Sequence, residues 1–192
     1  MAKRLFDIFL ALAGLLFFGW IILFFAFVIL ITTGKSGFFA QTRIGQYGRK
    51  FTIFKLRSMN DVNGEKVVTK PGRFIRKYKI DELPQLYNIL NGTMSIVGPR
   101  PDLPGYYDLL TGADRELLKL KPGLTGPASL KYANEEELLA TVKDPVWYND
   151  NVIFPDKVRI NLNYQQHRSL LLDLKLIMYT IIGKKPNEEY FQ

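Results

Sequence analysis

Two adjacent carboxylates, Asp81 and Glu82, stand near the start of the stretch KIDELPQLYNILNGTMSIVGPRP at residues 79–101. Neighbouring side chains on a strand or in mid-helix point apart, so such a pair is ordinarily two solvated charges. Here the surroundings suggest more. Asp81 fits a helix N-cap, Pro84 falls in the first turn where it is tolerated, and Leu83, Leu86 and Leu90 form an apolar stripe that stops at Asn91-Gly92. Both carboxylates would then sit at the positive end of a helix, which favours their ionised forms. Ionised carboxylates suit a nucleophile or a Mg²⁺ ligand better than a general acid. Arg73 and Arg76 lie upstream, and Arg100 is stiffened downstream between Pro99 and Pro101. Their planar forks of donors match phosphate.

The chain-wide balance points the same way. In 192 residues there is room for one domain with a real core and an added anchor. No cysteine is present, which excludes disulfides and thiolate metal sites. A single histidine, His167, excludes a zinc site built on several imidazoles and argues against a Ser-His-Asp triad. The net charge of +8 asks for an anionic partner: nucleic acid, a membrane surface or a phosphorylated substrate. That charge is concentrated between residues 35 and 79, where a dozen Lys and Arg are opposed only by Asp61 and Glu65. The anion is therefore expected immediately upstream of the two carboxylates. GQYGRK at 45–50 does not amount to a phosphate-binding GxxxxGK[ST] loop.

Residues 8–34 contain no charge at all. As a helix they would extend roughly 40 Å, enough for a hydrocarbon core of about 30 Å. The run is too long for a signal peptide and no small-x-small cleavage site ends it. Lys3 and Arg4 precede it and Lys35, Arg43, Arg49 and Lys50 follow, so the positive-inside bias holds both ends toward the cytoplasm. A re-entrant helix, bent at Gly14 or Gly19, satisfies both ends and is preferred. A single span with its N-terminus outside is the alternative.

The remaining elements must position the carboxylates. Residues 36–50 read as a Gly-punctuated loop and 51–58 as a short strand with Phe51, Ile53, Lys55 and Arg57 on one side. Residues 61–72 read as a polar loop, and 111–119 and 134–142 as short helices, the second opening close to a capping box. Another helix starts at Pro155. The apolar segment 169–182 is expected as a core helix or an interfacial one, and 184–192 as a mobile polar tail. The expected architecture is α/β: mostly short helices around a small sheet or extended segment, a membrane-embedded N-terminal helix over 1–35, and a catalytic domain with interfacial amphipathic helices over 36–183. Cations, a divalent metal and two carboxylates beside a membrane suggest phosphoryl transfer involving a diphosphate and a lipid. The competing explanation is a capped helix with solvated charges.

KRLFDIFLA (3–11), QTRIG (41–45), FTIFKLRSM (51–59), DELPQLYNIL (81–90), MSIVGPRPDLP (94–104), KPGLTG (121–126) and SLLLDLKLIMYT (169–180) occur in this order. Together they resemble the bacterial sugar transferases, the monotopic phosphoglycosyl transferases, in their small catalytic-domain-only form. DELPQ followed by GPRP is the specific part; KPGLTG alone is weak. The resemblance implies transfer of a sugar-1-phosphate from a UDP-sugar to a membrane polyprenol phosphate such as undecaprenyl phosphate, with release of UMP. It further implies a ping-pong mechanism through a phosphosugar on Asp81, with Glu82 helping to bind Mg²⁺ and orient the diphosphate. Lys55, Arg57, Arg76 and Arg100 would hold phosphate. The place would be the cytoplasmic face of a bacterial inner membrane, in glycoconjugate or exopolysaccharide synthesis, and a homodimer is compatible with it.

Two positions depart from the family pattern. Gly19-Trp20 stands where a helix-breaking Ser-Pro is common, and PASLKYA replaces a stretch containing an Arg, for which Lys131 is a candidate substitute. A glycosyltransferase would release UDP instead of UMP. A non-catalytic basic module that binds anionic lipid or assembly partners is the alternative outside enzymology. Nucleic-acid binding ranks last, since it leaves the apolar anchor unexplained. His167 and Asp173 are expected to serve structure, Asp173 by pairing with Lys175 or Arg168 or by reaching the interface.

Overall fold

The uncharged run forms one uninterrupted helix, α1 (Ala2–Thr33), in the computed structural model, which describes residues 2–62, 64–184 and 186. Asp7, Ala11, Ile22, Ala26 and Ile29 form its buried stripe. The other faces expose Phe9, Leu16, Phe17, Trp20, Leu23 and Phe27. Only 17% of its most apolar window is buried, so the helix is not a core element of a water-soluble protein. It is long and apolar enough to cross a membrane. The chain divides into two compact units, residues 1–43 with 50–95 and residues 44–49 with 96–192. The architecture is α/β with small sheets.

In the first unit, β1 (Phe38–Ile44) and β2 (Lys50–Leu56) pair as a two-stranded sheet. β3 (Met59–Val62) and β4 (Glu65–Val68) make an antiparallel hairpin in which Asp61 faces Lys66. Then comes α2 (Lys70–Lys77), whose N-cap Thr69 accepts a hydrogen bond from Gly72 N at 3.0 Å. Gly72 is obligatory on space alone: a Cβ there would lie 1.9 Å from Ser58 O. A 3₁₀ turn (Ile80–Glu82) leads to α3 (Gln85–Leu90). Ile22, Ala26 and Ile29 of α1 join Leu56 of β2 and Ile75 of α2 in one apolar cluster.

Polar side chains lock this unit. Asn88, fully buried on α3, accepts from Phe54 N at 3.1 Å and donates to Thr52 O at 2.7 Å, acting as a strand partner for β2. Arg4 donates to the carbonyls of Ile89 and Leu90 in the last turn of α3, where Ile89 O also accepts from Gly92 N at 3.1 Å. Buried Asp7 accepts from Ser95 Oγ at 2.9 Å and lies 3.8 Å from Lys3 Nζ.

In the second unit, β5 (Ser95–Val97) pairs with β6 (Gly123–Thr125), and a 3₁₀ segment occupies Gly112–Lys119. Five helices follow: α4 (Pro127–Lys131), α5 (Glu135–Thr141), α6 (Pro145–Tyr148), α7 (Phe154–His167) and α8 (Leu170–Ile182). Ile44, Tyr107, Leu110, Leu117, Leu118 and Val158 form a core cluster. Asp173 is buried and accepts from Tyr164 Oη at 2.6 Å, which fits the structural role while replacing the expected snorkelling.

Several local expectations need correction. Residues 38–44 are a strand inside the 36–50 stretch expected as a loop; their exposure alternates, but without the apolar contrast that marks a strand in sequence. The polar loop expected over 61–72 is instead the greater part of a hairpin over 59–68 and the first turn of a helix over 70–77. On β2 the side of Ile53 is not the whole story: Leu56 is buried too, so the period of two breaks before Arg57. Residues 112–119 wind as 3₁₀ and Asn134 makes no side-chain cap. Most of the expected mobile tail (Lys185 and residues 187–192) lies outside the described residues.

Asn88→Ala leaves the part-buried Phe54 N–H and Thr52 carbonyl without the partner that Asn88 supplies. It is expected to destabilise the protein by about 2–4 kcal/mol, since each orphaned group costs about 1–3 kcal/mol. Asn88→Asp should not rescue it, because a carboxylate cannot donate to Thr52 O. Thermal unfolding in detergent measures both; an unchanged midpoint for either variant would contradict this account.

Candidate active site

The carboxylates owe their position to a sharp change of direction after α2. Lys79 adopts left-handed backbone angles (φ 56°, ψ 20°), an uncommon conformation for a residue with a side chain. Ile80 and Leu83 pack against the cluster built on α1, β2 and α2. Burying these two apolar residues tightens the chain into a 3₁₀ turn between them, and the α-helix begins only after Pro84. Asp81 is therefore not an N-cap: it lies inside the 3₁₀ turn and makes no cap hydrogen bond.

Asp81 and Glu82 are both buried, at 9% and 8% exposure. Lys55 on β2 lies 3.6 Å from Glu82 Oε1. Asp81 Oδ1 is enclosed with no hydrogen-bond partner among the described residues. Burial pushes the Asp81 carboxyl above its ordinary value and the neighbouring Glu82 charge adds to the rise, while Lys55, Arg76 and Lys79 oppose it. The expectation that the site favours ionisation thus reverses. A helix terminus would have stabilised the anion; a desolvated turn with a like charge alongside destabilises it. An anionic oxygen poorly solvated and free of hydrogen bonds is a stronger nucleophile than a hydrated one.

Of the sequence candidates, Asp81, Glu82, Lys55 and Arg76 come together in the first unit. Lys79 joins them; it had been counted only as part of the basic segment, and its left-handed backbone has no signal in the residue type. Arg57 is engaged elsewhere, donating from Nε to Ser36 O at 2.9 Å and from Nη2 to Phe38 O at 3.3 Å, over the ring of Phe39. It holds the segment leaving α1. Arg73 is exposed on α2.

Arg100 belongs to the second unit and is exposed on the turn after β5. Gly98 N donates to Thr125 O at 2.9 Å and Gly123 N to Pro99 O at 2.8 Å. A Cβ on Gly98 would come within 2.3 Å of Lys121 O, and one on Gly123 within 2.1 Å of Gly98 N. GPRP and KPGLTG are thus two halves of one backbone-to-backbone contact that sets the Arg100 turn. Lys131 pairs with Asp156 at 2.6 Å, and His167 Nδ1 lies 3.0 Å from Asn163 O.

No group of three or more His, Cys, Asp or Glu suited to a metal occurs among the described residues. Mg²⁺ does not need one: it is commonly held by one or two carboxylates together with water and substrate phosphates. Asp81, with its unbonded oxygen, and Glu82 fit that donor set.

The chain matches the bacterial sugar transferase family over residues 1–184. It is 38% identical to the uncharacterized sugar transferase EpsL of Bacillus subtilis (strain 168), covering 93% of this chain and 85% of that protein. It is 31% identical to the exopolysaccharide production protein ExoY of Rhizobium meliloti (strain 1021), covering 84% of it. A UDP-glucose:undecaprenyl-phosphate glucose-1-phosphate transferase of Xanthomonas campestris pv. campestris is 33% identical over 96% of this chain, which spans 40% of that longer protein. From its first turn through α8, with the paired carboxylates inside the matched region, this chain belongs to the bacterial sugar transferase family.

Proposed function

We propose that the protein moves a sugar-1-phosphate from a UDP-sugar to a polyprenol phosphate, releasing UMP, with Asp81 as the nucleophile. The observation that carries this is Asp81 Oδ1: a buried carboxylate oxygen without a hydrogen-bond partner among the described residues, whose charge Lys55, Arg76 and Lys79 partly offset. Relatives named as sugar-1-phosphate transferases onto undecaprenyl phosphate support the substrate pair. In the first step Asp81 Oδ1 attacks the sugar-bearing phosphorus and the bond to the bridging oxygen breaks, so that UMP leaves. In the second step a phosphate oxygen of the polyprenol phosphate attacks the same phosphorus and expels the Asp81 carboxylate. Splitting the transfer lets one site serve a soluble donor and then a lipid acceptor.

The cations Lys55, Arg76 and Lys79 neutralise the phosphates and hold the phosphorus in line. Glu82, next to Lys55, orients the diphosphate. Arg57 holds residues 36–38 instead of phosphate; Arg100, on the turn after β5, is a further phosphate-binding candidate by its place in the GPRP motif. A Mg²⁺ held by Glu82 and Asp81 would supply charge neutralisation on the donor diphosphate.

The membrane-embedded stretch is residues 1–35 and the catalytic part 36–183, on the cytoplasmic face. A course of α1 that keeps both of its ends on one side of the bilayer is supported by contacts at those ends, although the bend expected at Gly14 or Gly19 does not interrupt the helix. Arg4 binds the carbonyls of Ile89 and Leu90, and Ile29 packs with Leu56 and Ile75. A helix that crossed the bilayer could not keep both ends against the same unit. With nucleic acid discounted, α8, exposing Leu170, Leu171, Leu174, Met178 and Ile181, suits the membrane interface.

Incubation of detergent-purified protein with Mg²⁺, polyprenol phosphate and a panel of UDP-sugars should release UMP. UDP would indicate a glycosyltransferase instead. Asp81→Asn should lower turnover by about three orders of magnitude or more. Because the folded-state pKa of Asp81 is raised, its ionisation works against folding: the stability present below the unfolded-state value is lost as pH rises through the folded-state value. Asp81→Asn should therefore melt no lower than the wild type at neutral pH, and a large drop in its melting point would contradict the assignment.

The same shift places the acid limb of kcat/KM above the ordinary aspartate range. Glu82→Gln, which removes a like charge, should move that limb to lower pH, and Lys55→Gln should move it higher. A pH–rate series on residual activity tests this; shifts in the opposite directions would remove Asp81 as the titrating group.

A further inference from the structure

One feature of the basic segment plays no part in this chemistry. On α2, Arg76 faces the carboxylate site electrostatically and Ile75 and Gly72 are buried, while Lys70, Arg73, Phe74, Lys77 and, just beyond the helix, Tyr78 form a continuous exposed face. Phe74 and Tyr78 are 49% and 56% exposed, large for aromatic rings on a water-facing helix. The helix carries no acidic residue. Lys70, Arg73 and Lys77 have no ion-pair partner among the described residues, and Lys77 stands 5.4 Å from the Tyr78 ring centroid. The aromatic edge continues the apolar surface of α1: Phe74 stacks on Phe25 at 5.6 Å and packs with Tyr78 at 4.8 Å, beside exposed Phe24 and Phe27.

We infer that this face of α2 binds the anionic phospholipid headgroups of the bilayer in which α1 sits. The inference rests on the proposal that α1 is embedded in the membrane. Aromatic rings at headgroup level with lysines and arginine directly alongside match the chemistry of an anionic interface. Each basic side chain near such a surface is attracted about fivefold, and the effect is screened by salt. The same short helix carries Arg76, so headgroup contact sets the height of the phosphate-binding cations above the bilayer. An acceptor whose phosphate lies at the headgroup level then meets Asp81 without leaving the membrane.

Amine labelling of the full chain in nanodiscs tests this. In phosphatidylglycerol-containing discs, Lys70 and Lys77 should label about fivefold more slowly than in pure phosphatidylcholine discs, and high salt should abolish the difference. Equal labelling in the two lipids overturns the inference. Slow labelling in phosphatidylcholine discs only after adding polyprenol phosphate or inorganic phosphate also overturns it, assigning the face to the substrate. Lys70→Gln/Lys77→Gln should lose the dependence of transfer rate on phosphatidylglycerol while keeping the wild-type melting temperature; an unchanged lipid dependence would count against the inference. Quenching of Trp20 by brominated acyl chains, in a Trp147→Phe background, checks the anchor separately. Quenched Trp20 with unprotected lysines refutes only the headgroup contact, whereas unquenched Trp20 refutes the anchor itself.

Discussion

The packing of one stripe of α1 against the first unit is the constraint on which the remaining geometry depends. Ile22, Ala26 and Ile29 share a cluster with Leu56 and Ile75, and Ile80 and Leu83 pack onto it. Those last two residues flank the carboxylates, so the burial that seats them also dictates the turn in which Asp81 and Glu82 lie. The long apolar helix, a candidate membrane anchor, is also the wall that shapes the site. Arg4 and Asp7 extend the attachment to the first turns, where each polar group near the membrane meets a partner: carbonyls of α3 for one, Ser95 for the other. Leaving either unpaired at low dielectric would cost several kcal/mol.

Site electrostatics follow from that packing. Two neighbouring carboxylates buried in a turn repel one another, and Lys55 of β2, Arg76 of α2 and the left-handed Lys79 offset part of the repulsion on Asp81. The offset is incomplete, so Asp81 remains a destabilised anion. That is poor for folding and accords with the nucleophilic role proposed for Asp81. The Asn88 clamp ties β2, which carries Lys55, to α3, which follows directly on the turn that carries Glu82.

Much of this was legible beforehand. An uncharged run of this length announces a membrane helix, and the order DELPQ, GPRP, KPGLTG announces the family, now supported across residues 1–184. The α8 helix and strand β2 were visible in their apolar patterns, and α7 in the Pro155 that opens it. The β1 strand and the 59–68 hairpin were not, because exposed two-stranded elements rich in polar residues lack the alternation that burial imposes. Arg57 looked like a phosphate ligand by motif, yet its donors go to carbonyls of residues 36 and 38, a choice made by the path of the chain after α1.

Residue types and order alone determined the anchor, the excess of positive charge, the absence of thiol and multi-imidazole chemistry, and the identity of the carboxylate pair. Those properties belong to local composition, which a sequence states directly. Tertiary structure decided the state of that pair. Whether Asp81 is a capped, stabilised anion or a buried, unbonded one depends on where Ile80 and Leu83 find apolar partners. Those partners lie on α1, β2 and α2, up to about sixty residues away along the chain. Desolvation and Coulomb interaction are set by distances in space, and no spacing along the chain encodes them.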